Sequence, residues 1–282
     1  MLRVHGIRSI FFVIVFSACS NTAGEKNILA DIIPDPATKI PSHTNSDSIK
    51  TIHVFVALCD NKYQGIVPVP ASIGNGQDAK NNLYWGAGYG IKAFFGKRSR
   101  DWELISTQAN PVEHILERLL LKHRSKNIYL LADAYDGQYI RQTTIEFLFA
   151  SSGNSQVEME DKGEKIYFGG ASNLIAYVGH DGLMDFSINQ NFEGNSDRKR
   201  ETIILACYSK RFFSPYLKQT GASPLVWSTG LMAPEAYILH DAINAWLEKR
   251  PASEIRLAAA KAYSKYQRCT FKAALGLLVS GW

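Results

Sequence analysis

Two reactive side chains stand where an apolar run gives out. His180 comes two residues after the run 173–178, and Cys207 directly follows the run 202–206. An imidazole can take the proton of a thiol, and the resulting thiolate is the competent nucleophile toward a carbonyl carbon. Gly182 follows the histidine by two positions and lets main chain approach a substrate closely. Its N–H, with that of Cys207, would stabilise the oxyanion of a tetrahedral intermediate.

Both residues need a scaffold that holds them side by side. Residues 51–58, 127–132, 173–178, 202–206 and 224–228 are short, continuous apolar stretches rich in Val, Ile and Leu, the mark of strands buried on both faces. Helices are expected between them. Asn110 and Pro111 open one as N-cap and first helical residue, with Glu113 as the capping-box partner and Val112, Ile115, Leu116, Leu119 and Leu120 on one stripe. Others are expected over 139–150, 211–218, 234–249 and 253–266. Asn82 is expected to cap a further helix over the glycines between Trp85 and Gly90; these form neither a dinucleotide nor a phosphate-loop pattern and suggest close helix packing. Strands alternating with helices predict an α/β fold, a three-layer α/β/α sandwich with a mostly parallel sheet. In such sheets ligands gather beyond the carboxyl ends of the strands. Those ends hold Cys59 and Asp60, Asp133, His180 to Gly182, Cys207, and Thr229 with Gly230.

A buried strand running into His-x-Gly and a second running into Ala-Cys resembles the catalytic core of the caspase-like cysteine peptidases, the group of caspases, gingipains, clostripain and legumain. The resemblance is carried by residues 174–182 and 203–209, and the order of elements from 52 to 246 is compatible with it. It implies His180 as general base and acid, Cys207 as nucleophile, and the Gly182 and Cys207 amides as the oxyanion site. In that family glycine follows the histidine directly; here Asp181 stands between. The resemblance also implies a substrate pocket shaped by strand ends, here Asp60, Asp133 and Trp227, with the acids favouring Arg or Lys. The substrate would be a peptide or protein, and no cofactor is implied. The rival expectation is a cell-envelope protein that uses the same cleft to bind a ligand or partner without turnover.

The chain opens with Arg3, Arg8 and an apolar stretch, 10–16, too short to span a bilayer. Ser17 and Ala18 precede Cys19 like the cleavage site of an exported protein, and a cysteine there resembles the lipidation site of bacterial lipoproteins. The expected organisation is a signal peptide over 1–18, a tether over 19–50 anchored through lipid on Cys19, and a globular body over 51–282. The protein is thus expected on a cell or outer membrane, facing the periplasm or exterior. Loss of the leader lowers the formal charge from +5 to +3, and the short basic runs 97–100 and 198–200 do not make a nucleic-acid surface. No paired Cys/His spacing suggests a metal, and no G-x-S-x-G suggests a serine hydrolase. Cys59, Cys207 and Cys269 remain after lipidation of Cys19, so at least one thiol stays unpaired in an oxidising compartment.

Overall fold

A computed structural model describes residues 43–194 and 198–282; residues 1–18, Cys19 and most of the expected tether lie outside them. In chain order, β1 (Lys50–Ala57) is followed by irregular turns and α1 (Ile91–Ala93), a single turn continued by a π-helical one. Then come β2 (Trp102–Val112), β3 (Ile115–His123), β4 (Ile128–Tyr135), α2 (Ile140–Ser152), β5 (Gln156–Asp161) and β6 (Glu164–Gly169). β7 (Leu174–Gly179) and β8 (Glu201–Leu205) have a 3-10 turn, Gly182–Met184, between them. The chain continues with α3 (Ser209–Thr220), β9 (Ser223–Ser228), α4 (Ala236–Leu247), α5 (Ala252–Gln267), α6 (Phe271–Leu277) and β10 (Leu278–Val279).

Eight strands form one mixed sheet in the order β10-β9-β8-β7-β1-β4-β3-β2. β9, β8, β7, β1 and β4 are parallel, whereas β3, β2 and β10 run antiparallel to their neighbours. The sheet grows from β1 to β4 on one side and then restarts with β7 on the other. Its topological switch point therefore lies between β1 and β7, where the parallel strands' carboxyl ends open a crevice. Alternation of side chains along each strand sorts them into two cores. Ile52, Val54 and Val56 of β1 and Ala176 and Val178 of β7 pack with Tyr237 to Leu247 and with Ile255 to Tyr263, that is, with α4 and α5. Phe55, Ala57, Ile175 and Tyr177 pack with α2 and α3 through Phe147, Leu148, Phe213 and Leu217. Each fully buried Val, Ile or Phe contributes about 1.5–3 kcal/mol of transfer free energy.

The helix expected from Asn110 is instead a hairpin. Pro111 sits in β2, the edge strand of the sheet, where no ladder N–H is required of it. Asn110 adopts a left-handed φ of +46° at an irregularity in the β2–β3 register rather than capping a helix. Leu119, Leu120 and Leu121 are buried because β3 pairs with β4, and pairing plus burial overrides the helical propensity of leucine. Nor does Asn82 cap a helix. Its side chain accepts from the Cys59 N–H at 3.1 Å and donates to the Cys59 carbonyl at 2.8 Å, pinning the turns after it to the end of β1.

On the α2 side of the sheet lies a largely buried ionic group. Arg118 of β3 donates to both oxygens of Asp133 on β4, at 2.6 and 2.8 Å, and His53 Nε2 of β1 lies 3.1 Å from the same carboxylate. The Gly169 N–H donates to His53 Nδ1, so the ring's proton resides on Nε2 and points at Asp133. Burial lowers the proton affinity of His53 and keeps it neutral. Burial alone would raise that of Asp133, but Arg118 and His53 outweigh it and hold the carboxyl below its ordinary range. Removing one partner strands the others in a dry interior. Asp133→Ala is expected to cost about 3–5 kcal/mol of unfolding free energy in chemical denaturation, whereas breaking the exposed Lys165–Glu158 pair is expected to change stability little.

Candidate functional site

β7 ends at Gly179 with a φ of +144°, where an added Cβ would lie 2.5 Å from the Ala57 carbonyl oxygen. Only glycine fits that close exit from the sheet, and it delivers His180 to the β1/β7 boundary. The histidine is held at both ends. The Tyr177 hydroxyl donates to its carbonyl at 2.8 Å, and Nε2 lies 2.7 Å from Asp185 Oδ2, which also accepts the Gly65 N–H at 3.1 Å. An ionised carboxylate only accepts, so Nε2 carries hydrogen and the neutral ring presents Nδ1 as its basic nitrogen. Among the described residues Nδ1 has no hydrogen-bond partner.

Cys207 stands in the tight turn between β8 and α3. Tyr208, the N-cap of α3, takes a left-handed φ of +50°, unusual for a bulky side chain. The turn is fixed from several directions. The Tyr208 N–H donates to the Gly230 carbonyl at 2.9 Å. The Ser209 N–H donates to Ser228 Oγ at 3.1 Å, the Ser228 N–H returns a bond to Ser209 Oγ at 2.9 Å, and Ser209 Oγ donates to the Ile204 carbonyl. Backbone strain of this kind persists only where its surroundings enforce it. The thiol is half-buried and faces the loop after β9: Sγ donates to the Met232 carbonyl at 3.6 Å and accepts from its N–H at 3.4 Å. Burial pushes its proton affinity up, the Met232 amide pulls it down, and negative charge on Asp181 pushes it up again. The N-terminus of α3 favours the thiolate. Tyr84 belongs to the buried cluster against which the Cys207 side chain packs.

β7 and β8 are neighbouring parallel strands, paired from Leu174↔Glu201 to Val178↔Leu205, so His180 and Cys207 leave adjacent carboxyl ends. No direct hydrogen bond joins them; the imidazole is held by Asp185 and the thiol by Met232. Gly182 opens the 3-10 turn beside them, and an added Cβ there would meet Phe186 at 2.7 Å, so close packing calls for glycine at this position. Asp181 is fully buried. Its Oδ1 accepts the Leu183 N–H at 3.0 Å, Oδ2 has no partner, and burial pushes its proton affinity up to about 8.

Of the residues expected to shape a substrate pocket, Asp133 and Trp227 lie away from the strand-end crevice, and Asp60 is at its edge but engaged in a turn. Asp133 is two residues inside β4 rather than at its end, sealed in the ionic group with Arg118 and His53. Trp227 is fully buried in the core with α2 and α3, opposite to the face that Cys207 adjoins, because side chains alternate along a strand. Asp60 is at the end of β1, but its oxygens are engaged by the Lys62, Tyr63 and Gly76 N–H groups and by Gln77 Nε2. It organises a turn, so the acids no longer argue for an Arg or Lys substrate. Asp185 joins the site without having been singled out from sequence. Asp185 is brought back to His180 by the 3-10 turn, and a sequence reader could find it as an acid five residues after the histidine. Cys59 and Cys207 are separated by β7, and both are free thiols, as is Cys269. Among the described residues no group of three His, Cys, Asp or Glu could hold a metal ion. No known family, curated protein or solved structure matches the chain.

The raised proton affinity of Asp181 has a consequence for stability. From the ordinary carboxylate range up to about pH 8, the folded chain holds a proton that the unfolded chain has released. Stability therefore falls as pH rises through that window. Asp181→Asn, which keeps an acceptor for Leu183, is expected to match wild type most closely near pH 4 and to exceed it by about 1–3 kcal/mol at pH 8 in urea titrations.

Proposed function

We propose that this protein is an exported, lipid-anchored amide hydrolase with a caspase-like three-layer α/β/α body, whose nucleophile is Cys207 and whose base is His180. One observation carries it: a histidine with a free basic nitrogen and a cysteine in a strained, fixed turn leave adjacent parallel strands beside the switch-point crevice. Nδ1 of His180 takes the thiol proton as Sγ attacks the carbonyl carbon; the new C–S bond drives electron density onto the oxygen, held by the Gly182 and Cys207 amides. Collapse breaks the C–N bond, with His180 giving its proton to the leaving amine. Water, deprotonated by the same ring, then attacks the thioester, releasing the acid and restoring the thiol. Asp185 keeps the imidazole in the tautomer this needs. The Met232 hydrogen bonds must give way for Sγ to reach both His180 and substrate.

A second reading, a binding protein without turnover, is favoured by the thiol's engagement with Met232 instead of the imidazole. The two separate on brief iodoacetamide treatment at pH 6 followed by intact mass. An activated dyad gives a fast adduct that requires both His180 and Cys207, and an inert thiol favours the binder. On a peptide amide found by screening, Cys207→Ala and His180→Ala are expected to lower kcat/KM by at least about a thousandfold with the fold retained, and Asp185→Asn by about tenfold or more. Activity that survives Cys207→Ala would falsify the mechanism.

Membrane attachment through lipid on Cys19, which follows an apolar stretch and two small residues, is part of the same proposal; no helix among the described residues is long and apolar enough to cross a membrane. Cys19→Ser is expected to move the protein from the membrane to the soluble fraction and to remove the mass of the acyl chains. An unchanged distribution between fractions would count against the anchor.

A further inference from the structure

A second set of reactive side chains lies where α4 meets the turn before β2. The π-helical turn Phe94–Arg98 ends at Ser99, whose N–H donates to the Phe94 carbonyl at 2.8 Å. Single π-helical turns are rare and recur at functional sites. Ser99 Oγ lies 3.0 Å from His240 Nε2 in α4, and His240 Nδ1 lies 3.0 Å from Asp241 Oδ1. An ionised carboxylate only accepts, so Nδ1 carries the hydrogen, Nε2 is bare, and the serine hydroxyl donates to it. The hydroxyl, imidazole and carboxylate thus stand in the order of a nucleophile, its base and the group that orients the base. None of these contacts involves His180 or Cys207. The rings of Phe94 and Phe95 lie edge-on to the imidazole, with centroids 5.3 and 5.5 Å away, and fix its plane. Asp101 Oδ2, 3.4 Å from Nε2, is placed to pair with the imidazolium once the ring has taken a proton. The Asp101 N–H donates to Ser99 Oγ at 3.2 Å, and the turn needs the serine only as that acceptor. Delivery of the hydroxyl proton to an oriented imidazole is left over. Ser99 is half-buried between exposed Arg98 and Arg100, so a small molecule can reach it. The Arg100 N–H makes no hydrogen bond among the described residues.

We propose that Ser99, His240 and Asp241 form a second hydrolytic site, independent of Cys207, that cleaves small carboxylic esters. Nε2 of His240 takes the Ser99 proton as Oγ attacks the carbonyl carbon. The new C–O bond drives an electron pair onto the carbonyl oxygen, which the Arg100 N–H is positioned to meet as the amide next to the nucleophile. Collapse breaks the bond to the leaving alcohol, which receives its proton from His240. Water, deprotonated by the same nitrogen, then attacks the acyl-serine, releasing the acid and restoring the hydroxyl. Asp241 holds Nδ1–H and so keeps Nε2 free to act. Esters rather than amides suit the site, because the side chains of Asp101 and Asp241 are almost half-exposed and water tempers their pull on the imidazole. A leaving alcohol needs less assistance from the acid than a leaving amine. The chain has no G-x-S-x-G elbow, and the π-helical turn presents the hydroxyl in its place.

The test is labelling of the full chain with an alkyl fluorophosphonate, which an activated serine attacks at phosphorus with loss of fluoride. Adducts are read by intact mass and peptide mapping in wild type, Ser99→Ala, His240→Gln and Asp241→Asn. The expected result is one adduct in wild type, mapped to Ser99 and absent from Ser99→Ala. Labelling is expected to slow at least about a hundredfold in His240→Gln and about tenfold or more in Asp241→Asn. Hydrolysis of p-nitrophenyl butyrate, measured after iodoacetamide has blocked the thiols, is expected to fall in the same order. A serine that only completes its turn leaves wild type unlabelled, and an unlabelled Ser99 overturns the proposal. So does labelling indifferent to His240, or ester hydrolysis after thiol blocking that survives Ser99→Ala. Wild type alone decides the first of these outcomes, so a variant that fails to fold does not shield the proposal. The two sites fail separately: iodoacetamide reads Cys207, and the fluorophosphonate adduct reads Ser99.

Discussion

A strand buried on both faces can carry a polar side chain in two ways: pair it completely inside, or place it at the end where the sheet opens. β1, β4, β7 and β8 obey this throughout. His53 and Asp133, in the bodies of β1 and β4, are locked to each other and to Arg118. His180, Asp181 and Cys207 follow the ends of β7 and β8, where backbone hydrogen bonding to neighbours stops and side chains can meet a ligand. The candidate site is therefore confined by burial before any chemistry is considered. The reversal of strand order at β1/β7 then selects which ends share a crevice.

That constraint also explains what the sequence made legible. Five of the strands were readable as unbroken apolar runs because parallel, doubly covered strands need no alternation. The helices expected over 139–150, 211–218, 234–249 and 253–266 correspond to α2, α3, α4 and α5. The β2–β3 hairpin was not readable, because Ile115, Leu116, Leu119 and Leu120 fit a helical stripe as well as a strand paired with β4, and only the partner strand decides; Val112 ends exposed on β2. The β5–β6 hairpin carried a usable signal that was not drawn on: Lys162 and Gly163, both at positive φ, form a two-residue turn between short strands.

Within the site, positions at strand ends were legible and partnerships were not. His180 and Cys207 could be placed because a run and its last residue are local facts. Which acid faces which base depends on tertiary routes. Asp185 reaches His180 through a 3-10 turn, Asp60 is drawn into a turn by Gly76, whose added Cβ would lie 2.4 Å from its Oδ2, and Asp133 is claimed by a strand that the sequence suggested was a helix.

Three buried acids show how partnership decides a carboxyl's role. Asp133 has a bidentate guanidinium and an imidazole, and the attraction outweighs its loss of hydration. Asp60 has three backbone N–H groups and a side-chain amide, enough to satisfy both oxygens without any cation. Asp181 has a single N–H for one oxygen and, among the described residues, nothing for the other, and burial drives it toward its neutral form. Equal burial thus yields a structural ion, a turn organiser and a protonated acid. The difference lies in where each sits: the first two fall where strands and turns converge to supply donors, whereas Asp181 falls in the passage from β7 toward β8, where the chain has left the sheet and the Leu183 N–H is its one hydrogen-bond donor among the described residues.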